Sequence, residues 1–172
     1  VVTPANAALT QLLTILTDPG DTVLLPDPCF PTYALASAFA EVNVEYFQLE
    51  EEHSFAPSID IIRQKLDANS GVKVVVIDNP SNPLGISHEA HLIEAISIEC
   101  HKRGIALILD RTYKNLSFVE DRTSETYRQS TFYVYSISKD AAAPALRIGC
   151  IVGNPEVVSK VADFNSMFFS CS

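Results

Sequence analysis

The sequence predicts an α/β fold: a three-layer α/β/α sandwich built on a mostly parallel, seven-stranded sheet. Short runs rich in Val, Ile and Leu alternate along the chain with longer stretches whose apolar residues recur at helical spacing. Several of the short runs are apolar nearly throughout, as strands covered on both faces must be. At 172 residues and 47% hydrophobic, the chain can bury one sizeable core and is read as a single domain.

Val1–Thr3 reads as a first short strand. Ala5–Thr17 follows as a helix, with Pro4 suited to its first position. Leu9, Leu12, Leu13 and Leu16 share one face of it, and Thr10, Gln11, Thr14 and Thr17 the other. The turn Asp18-Pro-Gly-Asp21 leads into a strand over Thr22–Leu25, and Asp27-Pro28 leads out of it to a helix over Pro31–Ala40. Val42–Leu49 reads as a strand, Pro57–Ala68 as a helix and Val72–Ile77 as a strand that stops at Asn79-Pro-Ser-Asn-Pro83. Ser87–Arg103 is a helix capped by Ser87 and stopped by Gly104, with Lys102 and Arg103 at the negative end of its dipole. Ile105–Leu109, Phe132–Tyr135 and Arg147–Val152 complete the strands. No repeat, low-complexity tract or linker divides the chain.

The formal charge is −9, from 21 acidic and 12 basic residues without a basic run, which argues against nucleic acid and anionic membranes as partners. No apolar stretch is long enough to cross a bilayer. The four cysteines show no CxxC spacing and are read as free thiols. His88 and His91 fall one residue short of an HExxH pair and are read as solvated, so no metal is expected. The chain opens at Val1-Val2 rather than Met and is read as a piece of a longer protein, whose targeting segment would not be visible here.

In an open α/β sheet, ligands bind beyond the carboxyl ends of the strands. Those positions hold Ala5 and Asn6 at a helix start, whose free N–H groups can meet an anion. They also hold Phe30, Asn82, Asp110 with Tyr113, and Ser136 with Lys139 and Arg147. Singly, most have ordinary readings: Phe30 as core, Asn82 as a turn residue, Asp110 as a cap. Lys139 is the exception, set between Ser136, Ser138 and the run Ala141–Ala143. Desolvation in such small, apolar company lowers a lysine's pKa and readies it to attack a carbonyl. Together these groups meet the needs of pyridoxal phosphate: a stacking surface, anion donors, a carboxylate for the ring nitrogen and an amine.

From Val2 to about Gly153 the sequence resembles the large domain of a fold-type I, class I/II aminotransferase. Asp18-Pro-Gly-Asp21, Asn79-Pro-Ser-Asn-Pro-Leu-Gly85, Asp110-Arg-Thr-Tyr113 and Ser136-Ile-Ser-Lys139 with Pro144 and Arg147 carry the resemblance. It implies an enzyme that moves an amino group between an amino acid and a 2-oxo acid on pyridoxal 5'-phosphate. Lys139 would join the cofactor as an aldimine and shuttle the substrate proton. Asp110 would pair with the pyridinium nitrogen, Asn82 and Tyr113 would bond the ring 3-oxygen, and Phe30 would stack on the ring. Ser136, Arg147 and the Ala5 and Asn6 amides would cup the phosphate. The resemblance also implies a homodimeric, cytoplasmic enzyme of amino-acid metabolism and biosynthesis. Residues 1–172 would be its cofactor-binding large domain, incomplete at both ends. The small domain, with the arginine for the substrate carboxylate, would lie outside them, so the chain by itself is expected not to transaminate. Departures from the family pattern are Pro4 for a small residue, Leu84 for threonine, and Arg111 for glutamate or a small residue.

Ser136-Ile-Ser-Lys139 also fits the S-x-x-K of serine β-lactamases, but the companion Ser-Asp-Asn and Lys-Thr-Gly segments do not occur and Pro144 opposes a continuing helix. A dinucleotide-binding G-x-G-x-x-G is absent. Two alternatives share the cofactor cup: another pyridoxal-phosphate enzyme such as a β-lyase, and a non-catalytic aminotransferase-like sensor domain of a transcription regulator.

Overall fold

The computed structural model describes residues 1–117 and 128–168. Helix α1 spans Ala5–Leu16, strand β1 Thr22–Asp27, α2 Thr32–Phe39, β2 Asn43–Gln48, α3 Ile59–Ala68, β3 Val72–Asp78, α4 Ala90–Arg103 and β4 Ala106–Asp110. Then come β5, Thr131–Ser136, the single turn α5, Ile137–Asp140, β6, Gly149–Val152, and α6, Pro155–Phe168. The described strands form one six-stranded sheet in the order β2-β1-β3-β4-β5-β6, with β6 alone antiparallel to its neighbour.

Side-chain alternation in the strands divides the interior into two cores. Val23, Leu25, Val74, Val76, Ile108 and Val134 pack with Leu9, Leu12 and Leu13 of α1, Tyr33 of α2 and Val161 of α6. Leu24, Val75, Ile77, Leu107 and Leu109 face the other way, against Ile62 and Leu66 of α3 and Ile93 and Ile96 of α4. Strands apolar throughout are thus sandwiched between two helical layers, as the composition of β3 and β4 requires.

Six strands stand where the sequence predicts seven. Val1–Thr3 contributes an isolated antiparallel bridge, Val2 to Cys150, beside β6. The Thr3 N–H donates to Gly149 O and the Ile151 N–H to Val1 O, each at 2.9 Å. Toward α1 the pairing ends at Pro4, which has no N–H and caps the helix. The strand predicted from Arg147 begins at Gly149, since Arg147 sits in the left-handed region at φ 53°, which no strand accommodates.

Other departures have local causes. Gln11, read from spacing as part of the polar face of α1, is buried: it accepts from the Thr3 hydroxyl and donates to Asn165 Oδ1 at 2.6 Å. Helix α4 starts three residues after the predicted Ser87 cap, with Glu89 at its N-cap. The Ser87 hydroxyl instead meets that of Ser117 at 2.9 Å. Gly104 stops α4 as expected, at φ 68°. His88, read as solvated, is buried, and burial lowers its pKa to about 4. His91 is exposed and ion-pairs with Glu89. Cys29, Cys100 and Cys150 are free thiols, and Cys171 lies outside the described residues. Among the described residues no helix is long and apolar enough to cross a membrane, and no cluster of His, Cys, Asp or Glu is placed to hold a metal.

Candidate active site

Strand order reverses between β1 and β3, so the chain leaves these neighbours toward opposite sides of the sheet and opens a crevice at their carboxyl ends. A cleft of about 180 Å³ lies there. Ala5, Asn6, Phe30, Asn82, Asp110, Tyr113, Ser136, Lys139 and Arg147 all line it. Every site residue expected from the sequence is thereby brought to one place.

The first turn of α1 supplies Ala5 and Asn6. Pro4 caps it without a side-chain hydrogen bond, so the leading N–H groups of the helix point out at the rim. Gly149 lets this end approach the sheet: a Cβ there would stand 3.2 Å from Ala5 N and 2.4 Å from Tyr135 O. Ser136 ends β5 and caps α5, its hydroxyl accepting from the Ser138 N–H at 3.2 Å and keeping its own O–H free to donate elsewhere. Arg147 reaches the same end from its left-handed position, with Nη1 donating to Pro144 O at 3.1 Å.

Asp110, the last residue of β4, also lines the cleft. Its Oδ2 accepts from the Tyr33 hydroxyl at 3.0 Å and its Oδ1 from the Thr112 N–H at 2.9 Å. Tyr33 is 2% exposed, and burial, with Asp110 beside it, raises its pKa well above 10. The Phe30 ring meets the Tyr33 ring edge-on, with centroids 5.9 Å apart, so the aromatic wall and the carboxylate are braced together.

Behind this wall the loop after β3 is tied down. Asn79 is buried and bonds both backbone groups of His88, accepting from its N–H at 2.9 Å and donating to its carbonyl. Arg111 is 1% exposed and donates from Nη1 to Asn79 O at 2.6 Å. The residue that departs from the family pattern after Asp110 therefore joins the ends of β3 and β4 from inside. Leu84, the other departure, packs on the second core.

Lys139 differs from expectation. It lines the cleft, but it is exposed, as are Ala141, Ala142 and the neighbouring Ile137, Leu146 and Ile148. Two of the three alanines that follow Lys139 are exposed, so the run does not form an apolar wall. What the lysine meets is the Tyr113 ring, with Nζ 5.4 Å from its centroid, a cation–π contact.

Sequence reasoning missed Asp78 and Tyr33, which also line the cleft. Asp78 carried a signal, since β3 and β4 both end an apolar run in aspartate, Ile77-Asp78 and Leu109-Asp110. Tyr33 carried none, being one more aromatic on a short helix.

The family model for aminotransferase class I and II matches residues 1–172. The chain is 30% identical over 154 residues to the LL-diaminopimelate aminotransferase of Dehalococcoides mccartyi, covering 87% of this chain and 39% of that one. It is 31% identical over 179 residues to a probable aspartate/prephenate aminotransferase of Aquifex aeolicus, covering 99% and 45%. The crystal structure of aspartate aminotransferase from Thermotoga maritima superposes at a TM-score of 0.93 with 26% identity, covering 99% of this chain and 46% of that one. The chain thus spans less than half the length of the relatives it matches.

Proposed function

The chain belongs to the class I and II aminotransferase family, and on that premise we propose that the whole protein moves an amino group between an amino acid and a 2-oxo acid, with pyridoxal 5'-phosphate held in this cleft. The observation that carries the reading is that one cleft gathers anion donors, a braced carboxylate, an aromatic ring and an amine. The residues fit the group. Arg147, the Ser136 hydroxyl and the leading N–H groups of α1 are a donor set suited to a phosphate, and the Asp110 carboxylate is suited to a protonated ring nitrogen.

When bound, pyridoxal phosphate supplies an electrophilic aldehyde and a ring that draws electron density from the α-carbon of an amino acid. The chain's residues do the rest. Asp110, held by Tyr33 and Thr112, keeps a proton on the ring nitrogen by offering it a carboxylate. Arg147, the Ser136 hydroxyl and the Ala5 and Asn6 N–H groups hold the phosphate. Asn82 and Tyr113 donate to the ring oxygen, and Phe30 covers a ring face. Lys139 anchors the group through Nζ and, from beside Tyr113, takes the α-proton and returns it. Arg111 is no candidate for the substrate carboxylate, being buried against Asn79. We assign that task to an arginine beyond these residues, and the working assembly to a homodimer.

Mixing the full-length, cofactor-loaded protein with single amino acids should bleach the absorbance of the lysine-bound cofactor, and a 2-oxo acid should restore it. A protein that responds to no amino acid, or splits the substrate without returning to its first form, is not an aminotransferase.

A further inference from the structure

Two carboxyls, rather than one, stand at the end of the cleft assigned to the ring nitrogen. Asp78 and Asp110 close β3 and β4 as register partners on adjacent parallel strands, so their side chains leave the same face of the sheet, and both line the cleft. Their surroundings differ. Asp110 receives a hydrogen bond on each oxygen. Asp78 is 3% exposed and receives the Asn82 N–H on Oδ2 at 2.6 Å. Its Oδ1 and the neighbouring Ser81 hydroxyl are both buried and make no hydrogen bond of normal geometry among the described residues, so the hydroxyl gives the carboxylate only weak support. A buried carboxylate with one oxygen poorly satisfied, set beside a second carboxylate, is disfavoured on both counts, and a single proton on the pair relieves both.

We propose that Asp78 and Asp110 form a pair that holds one proton, resident on Asp78, and that Asp78 releases this proton to solvent when a ring cation stands against Asp110. The release rests on the reading of the cleft as a pyridoxal phosphate site. Burial pushes the Asp78 carboxyl up to about 7, with Asp110 adding to the effect and the Asn82 N–H, its own backbone N–H and the Ser81 hydroxyl opposing it. The other titratable groups near Asp78 are poor proton sources near neutrality. Burial raises the Tyr33 phenol on α2 well above 10, and it pushes the Cys29 thiol after β1 to about 11, helped by Asp78 and Asp27. Lys139 lines the same cleft, and the Arg111 guanidinium lies behind it on Asn79 O. Once a cation adds its charge beside Asp110, both carboxyls ionise and grip it together. Affinity for the ring then climbs with pH, about tenfold per unit for one proton released, and levels off above the carboxyl's own titration.

Two measurements on the full-length, cofactor-free protein test this. Infrared difference spectra from about pH 5 to about pH 9 should show a protonated-carboxyl band that titrates near 7. The band should vanish in Asp78→Asn and move to lower pH in Asp110→Asn. The second measurement is calorimetry with 4'-deoxypyridoxine 5'-phosphate, which has the ring and phosphate but no aldehyde for Lys139. Run near pH 6 in buffers of different ionisation enthalpy, it should show about one more proton released by wild type than by Asp78→Asn. A wild type without such a band, a band that survives in Asp78→Asn, or equal proton release by the two proteins overturns the proposal. If wild type does not bind the probe at all, the pyridoxal phosphate reading falls with the release step, while the infrared titration still decides whether the pair holds a proton.

Discussion

Gly149→Ala should be the most damaging single-methyl change near the site. Gly149 is not among the positive-φ glycines, so its backbone suits any residue and the obstacle is space. A Cβ would stand 2.4 Å from Tyr135 O and 2.7 Å from Thr3 O, where an ordinary C···O contact is about 3.3 Å or more. Both oxygens belong to backbone, in β5 and in the Val1–Thr3 segment, and cannot rotate away. Overpacking of this kind costs about 1–3 kcal/mol where side chains can adjust, and here the upper end applies, about 3 kcal/mol. Gly104→Ala is the control. Gly104 lies at φ 68° with nothing within 4 Å of its Cβ position, so it meets only the left-handed penalty of about 1–2 kcal/mol. Urea denaturation of the cofactor-free, full-length protein should show a larger midpoint loss for Gly149→Ala than for Gly104→Ala at an unchanged slope. The displaced Ala5 N–H should also weaken pyridoxal phosphate binding about tenfold, the worth of one hydrogen bond to a charged group. A Gly149→Ala protein within about 0.5 kcal/mol of wild type, or more stable than Gly104→Ala, would refute the reasoning.

Tyr33→Phe removes the buried donor to Asp110 and should cost about 1.5–3 kcal/mol of stability. A double-mutant cycle with Asp110→Asn should return a coupling of about 1 kcal/mol, and additivity would mean the hydrogen bond stabilises nothing. Arg147→Gln should leave the urea midpoint unchanged, since the side chain is exposed, yet weaken pyridoxal phosphate about tenfold or more. Pyridoxal without its phosphate should bind wild type and variant equally; a matching loss for both ligands would remove Arg147 from the phosphate site. The fourth prediction concerns pH. A carboxyl raised from 3.8 to about 7 on folding stabilises the cofactor-free protein fully below 3.8, and this is lost as pH rises to about 7. His88, lowered by burial to about 4, has the opposite slope, losing stability as pH falls from 6.5 toward 4. The stability difference between wild type and Asp78→Asn cancels the histidine, and should fall by about 3 kcal/mol from pH 4 to pH 7. A flat difference would place the Asp78 titration elsewhere.

Features set by local chemistry could be read without coordinates. The apolar runs of β3 and β4 announced strands covered on both faces, and Gly104 announced the end of α4. The polar residues just past each strand announced the cleft, and all nine expected residues meet in it. Features set by a distant partner could not. Gln11 has polar spacing on α1 but is drawn inward by Asn165, 154 residues away. Tyr33 gains its meaning from Asp110, 77 residues away. Lys139 lines the cleft, but its neighbours Ala141 and Ala142 are exposed rather than buried as their small size suggests, and its amine lies over Tyr113. Asp78 is legible in the sequence as the polar end of an apolar run, the same signal that marks Asp110.

Lys139 is the residue proposed to carry the cofactor. Borohydride reduction of the cofactor-loaded, full-length protein would fix the cofactor covalently to its lysine, and peptide mapping by mass would locate it. The account predicts one adduct, on the peptide containing Lys139, absent from Lys139→Ala. An adduct on Lys114, whose amine lies over the Tyr135 ring 5.7 Å from its centroid, or on Lys102 at the end of α4, would contradict it.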